Sequence, residues 1–130
     1  MALGPEGAVM RQVSLVLASG PGFPHGSPEH RYEVSLDLDA NSRMNAELWY
    51  ADPRPWPAQR CWPGEPPRHG TVQHDEEAGW SLHFPARAEV PGDASLHCRI
   101  LTTPFLRPGE YITLREPDGV DHGYRIVQVA

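Results

Sequence analysis

Four aromatic residues, Trp49, Tyr50, Trp56 and Trp62, fall within 14 positions, interleaved with Pro53, Pro55, Pro57 and Pro63 and with Arg54 and Arg60. Proline fixes φ and pushes the residue before it toward extended geometry, so such a segment is stiff before any ligand arrives. Indole faces beside guanidinium groups can stack on a sugar ring, a planar ligand or a partner's side chain at little cost in entropy. This reading makes Trp49, Arg54, Trp56, Arg60 and Trp62 a ligand-binding set on the 49 to 69 loop. Its competitor is structural: Trp and Pro packed together can seal the open end of a small β-domain.

Nucleophilic, metal and cofactor chemistry find less support. Cys61 and Cys98 lie far apart and form no CxxC pair, so neither metal nor redox use is expected. Cys98 sits among alternating apolar residues and reads as a small buried hydrophobe. Of the seven histidines, those in or beside turns are His69, His74 and His122, with Glu76 and Glu77 nearby. His69 and His74 are separated by five positions and would point to opposite faces of a strand, so solvated or capping roles are expected and no metal is assigned. The chain has no lysine and no GxSxG, GxxxxGK or GxGxxG pattern. Schiff-base chemistry and the P-loop lysine are thereby excluded.

From Gly109 the string GEYITLREPDGVDHGYRI resembles the second signature motif of cupins, in which a glycine and a spacer precede Pro, any residue, Gly, two residues and a metal-binding His. The resemblance implies a metal-dependent enzyme or sensor in which His122 is a ligand, joined by His83 and Glu89 from HFPARAE. Pro85 stands where that family's other His belongs, Ile126 replaces the usual Asn, and the spacer is longer. A hairpin turning at PDG accounts for the same residues without metal. The overlapping string LRPGEYITL resembles the strand that enters the flavin-binding barrel of ferredoxin-reductase-like proteins. The Arg, any residue, Tyr, Ser or Thr signature of those proteins has no counterpart before Pro108, so no flavin or other cofactor is assigned.

The elements that must position these residues are short strands. With 15 Pro and 12 Gly among 130 residues, long helices are excluded. Polar and apolar residues alternate with a period of two along Val9 to Leu17, and again along Tyr32 to Asp39, where Val34, Leu36 and Leu38 oppose Glu33, Asp37 and Asp39. Between them, Ser19 to His30 reads as a long connection. Met44 to Tyr50 alternates too, in competition with a helical turn favoured by MNAEL. The segment from Asp52 to Gly70 reads as a loop that admits a brief edge strand near Ala58 to Trp62. A hairpin follows at Thr71 to His74 and Trp80 to Phe84. Further strands are expected at Arg87 to Val90, from Ser95 to Leu101, and at Tyr111 to Arg115 with Tyr124 to Val129 across the PDG turn. The expected fold is all-β, a mainly antiparallel sandwich or barrel of about eight short strands. Residues 1–8 read as a flexible leader and 9–130 as a single domain.

Composition bounds the partners. All 11 basic residues are arginines, dispersed among 17 acids for a formal net charge of −6, so nucleic acid is not an expected partner. The apolar run Val13 to Ala18 is too short for a signal core or a membrane span. A bacterial, cytoplasmic protein with free thiols is the expectation. The function read from the sequence is thus a binding or interaction module using the Trp/Pro/Arg-rich loop for an unknown small molecule or protein. Its alternatives are the cupin-like metal protein and a structural subunit that assembles through strand edges, with Glu33, Asp37 and Asp39 limiting uncontrolled pairing.

Overall fold

A computed structural model describes residues 10–130; the expected leader, and Val9 at the start of the first strand, lie outside the described residues. Eight strands follow one another around a closed antiparallel barrel: β1 (Arg11–Ser19), β2 (Ser27–Leu36), β3 (Pro57–Cys61), β4 (Arg68–Asp75), β5 (Gly79–Phe84), β6 (Leu96–Ile100), β7 (Tyr111–Arg115) and β8 (Asp121–Val129). Each strand pairs with the next in sequence. β8 then returns to β1, with Leu15 opposite Ile126 and Leu17 opposite Tyr124. Irregularities in β1 at Ser14/Leu15, Val16/Leu17 and Leu17/Ser19 supply the local bending that closure needs.

Alternation puts one side chain in two inside. Val13, Leu15 and Leu17 of β1, Tyr32, Val34 and Leu36 of β2, and Trp80, Leu82 and Phe84 of β5 are all buried in one core. Glu33 stays on the outer face, where it accepts from Ser14 and Arg31. The turn between β7 and β8 is built on Pro117, Asp118 and Gly119; Gly119 takes φ 84° and donates to the Glu116 carbonyl at 2.8 Å, as the PDG string implies.

Four expectations are corrected. Met44 to Tyr50 does not extend as a strand: Ala46–Ala51 form α1, the Asn45 side chain accepting from the Leu48 N–H at 3.2 Å. Here an N-cap and good helix formers outweigh a short period-two pattern. The first connection ends four residues earlier than expected, because β2 begins at Ser27. β3 is not an edge strand, for it pairs with both β2 and β4; its proline is tolerated because Pro57 is the first strand residue. Arg87 to Val90 forms a loop, tied down where Arg68 and Arg87 both reach the Asp93 carboxylate, at 3.1 and 3.0 Å.

Successive strands run in opposite directions, so the connections gather at two ends. One end carries the long β2–β3 segment with α1 and the β6–β7 loop with Leu106; Met44, Leu48 and Trp49 pack down on the core there. The interior beneath them, between residues such as Leu36, Val72, Leu106 and Ile112, leaves only about 10 Å³ unfilled. The other end, where β1–β2, β3–β4, β5–β6 and β7–β8 connect, stays open. Among the described residues no helix is long and apolar enough to cross a membrane.

Candidate functional site at the open mouth of the barrel

Strand period two determines which residues of β3 can reach the open end. Ala58, Arg60 and Trp62 share the inner face, and each step along that face moves toward the mouth. Tyr32 of β2 lies directly opposite Arg60 in register. Tyr124 enters from β8, Cys98 from β6, and Glu116 from the first position after β7. Together they form a polar floor on top of an otherwise apolar core.

Glu116 is the centre of that floor and is only 7 % exposed. Its carboxylate accepts from the Tyr124 hydroxyl at 2.5 Å, from the Tyr32 hydroxyl at 2.8 Å and, more weakly, from the Cys98 thiol at 3.6 Å. Tyr32 Oη in turn accepts from Arg60 Nε at 3.2 Å and touches Cys98 Sγ at 3.1 Å. A buried carboxylate is costly unless its lone pairs are met, and here both oxygens are met. Burial pushes the Tyr32 and Tyr124 hydroxyls above the ordinary phenol range, and the neighbouring Glu116 charge pushes further. Burial, then Glu116, raises the Cys98 thiol to about 12. Cys98 is therefore a protonated thiol at neutral pH and a poor nucleophile.

Above the floor the mouth encloses a cavity of about 490 Å³. Leu17, Phe23, Leu96 and Val120 line it with apolar surface, and Arg60, Trp62, His30 and His122 with polar and aromatic surface. The Arg60 guanidinium carbon lies 3.9 Å from the Trp62 ring centre. His30 meets Trp62 edge-on at 4.8 Å and Phe23 at 4.7 Å, its Nδ1 bonded to Ser27 Oγ at 2.8 Å. His122 rests on the backbone of Gly20, where a Cβ would come within 2.0 Å of Nδ1; only glycine leaves the imidazole its place.

The five residues assigned to one aromatic loop are thus divided between the two ends. Arg60 and Trp62 line the mouth. Trp56 is wholly buried at the closed end, its ring parallel to Trp80 at 6.0 Å and its Nε1 donating to Asp52 at 3.0 Å; it has the sealing role that competed with binding. Trp49 lies half-buried on α1 and donates from Nε1 to the Val72 carbonyl at 3.0 Å. Arg54 is exposed and paired with Asp52 at 2.9 Å and Asp37 at 3.4 Å. Its hydrogen bonds, with that of Trp56, hold the Asp52 carboxyl well below the usual range. Trp49, Arg54 and Trp56 border a second, shallow recess of about 310 Å³ outside the barrel.

Cys98, read as a small buried hydrophobe, is buried; Tyr32, Glu116 and Tyr124 did not stand out in the sequence. The signal available was the tyrosines at inward positions, since a buried phenol needs a partner for its hydroxyl. The cupin-like residues do not converge: His83 stacks on His97 at 4.4 Å between the inward Leu82 and Phe84, while His122 lines the mouth. Among the described residues no group of three or more His, Cys, Asp or Glu is placed to hold a metal ion. Both cysteines are free thiols. Comparison with known proteins gives no matching family model, curated protein or solved structure.

Proposed function

We propose that the protein is a small-molecule binding module whose site is the open mouth of the barrel, with Arg60 and Trp62 as contact residues. The observation that carries this reading is the 490 Å³ cavity at one end of a barrel that is filled at the other. Eight-stranded barrels have an interior that side chains just fill or that holds one small ligand; this chain does the first in its lower half and leaves room for the second in its upper half. The volume lies in the ordinary range of ligand pockets, and a mainly apolar lining with a few convergent polar groups is the usual composition of such sites. A cytosolic setting fits two unpaired thiols. Assembly through strand edges has less to recommend it, because every strand is paired on both sides.

The test is an amide NMR titration with 1-naphthalenemethanol, 1-naphthoate and 1-naphthylmethylammonium, three probes of one shape. Saturable shifts at Leu17, Phe23, Trp62 and Val120, without shifts at Trp49 or Leu106, are expected with at least one of them. Val120→Trp, which fills the cavity, should abolish those shifts while leaving the spectrum folded. Failure of all three probes to move the mouth amides would remove this reading.

A further inference from the structure

We infer that the mouth selects a monoanionic ligand, a carboxylate on an apolar body, held by Arg60 and His122; the inference rests on the binding reading above and names its chemistry. Three charged side chains border the cavity, Arg60, Glu116 and Asp118, and the first differs from the others in what it has left to give. The Glu116 oxygens face the core and are met by two hydroxyls and a thiol. Asp118 Oδ1 accepts the Val120 N–H at 2.9 Å on the exposed turn.

Arg60 spends Nε on Tyr32 and one Nη1 contact, a long one of 3.4 Å, on the exposed Glu65. A guanidinium has five N–H donors, so most of its terminal donors remain for the cavity, although its side chain is only 15 % exposed. The plane is already fixed by the Trp62 ring beneath it and by the Tyr32 hydroxyl, so little freedom is lost when it meets a planar carboxylate side-on.

His122 supplies the second, independent observation. Its Nδ1 is enclosed against Gly20 with no hydrogen-bond partner, and the residue lines the cavity. An enclosed N–H without an acceptor costs more than an enclosed bare lone pair, which favours the tautomer with its proton on Nε2, a donor for a ligand in the mouth. Both donors line the cavity together with Leu17, Leu96 and Val120, which matches an acid with an apolar body. The acidic chain, at −6, and the nearby Asp118 act against a dianion.

Affinities of the three naphthalene probes decide the matter. 1-Naphthoate should bind about tenfold or more tightly than the alcohol, as expected for charge-assisted hydrogen bonds in a partly dry site, and the ammonium should bind weakest. Arg60→Gln should erase the preference for naphthoate, Arg60→Lys should retain part of it, and His122→Phe should reduce it severalfold. If the alcohol or the ammonium binds wild-type protein as tightly as naphthoate, the anion preference is wrong and the mouth remains a binding site. If no probe reaches the mouth, both claims fall. The wild-type comparison stands whether or not the Arg60 variants fold.

Discussion

The two ends of this barrel solve the same problem in opposite ways. At the closed end, tryptophan, leucine and methionine fill the lumen, Asp52 takes the Trp56 N–H, and Arg54 pairs with Asp52 and with the buried Asp37. At the open end, polar atoms are taken inside and tied to one another around Glu116, and the lumen above them is left empty. The first end is filled, and the second holds the cavity on which the binding proposal rests. The cavity is bounded below by a polar floor whose groups are satisfied by one another, as a buried polar network must be.

The largest effect should come from breaking the closed end. Trp56→Ala removes a fully buried indole stacked on Trp80 and should cost about 3–5 kcal/mol in denaturant unfolding, while the affinity of the mouth for a naphthalene probe stays within about twofold at temperatures where the variant is folded. A comparable loss of affinity would mean that the ends are coupled. Glu116→Gln should cost less, about 1–3 kcal/mol, since an amide accepts at one position only and confronts the Tyr32 or Tyr124 hydroxyl with a donor. It should also loosen the mouth, read as faster amide exchange at Tyr32, Cys98 and Tyr124.

The smallest effects are those of pH, and they have opposite signs at the two ends. Asp52 is held below its ordinary range by Arg54 and Trp56, so the unfolded chain takes up a proton that the folded chain refuses. The stability this gives above about pH 4 is lost as pH falls through that range, and Asp52→Asn should flatten the acid limb. Cys98 is raised from 9.0 to about 12, so above pH 9 the unfolded chain releases a proton that the folded chain keeps. Stability therefore falls as pH rises between these values, and Cys98→Ala should make the alkaline limb of a denaturation series shallower.

Much of the barrel was legible as sequence. Strong alternation at β2 and β5 and the PDG turn before β8 marked their strands because each signal is local. Closure was not legible, since a period of two describes the inner face of a sandwich and of a barrel alike. α1 was obscured because six residues with an Asn cap also satisfy alternation. The site was half visible. Arg60 and Trp62 were marked by type, but they were joined to Trp49 and Arg54 because the intervening prolines suggested a single loop. β3 is the reason they part: five extended residues carry the chain about 17 Å from one end of the barrel to the other. Glu116 had no local mark, since its burial depends on Tyr32 and Cys98, 84 and 18 positions away.

Closure by β8 against β1 also orders events on the ribosome. The outer rail of Arg11–Ser19 finds its mate only when Asp121–Val129 has been synthesised, so until then the nascent sheet carries an unclaimed seam along β1. Such a seam can recruit a neighbouring chain, and β8 is the piece that denies it.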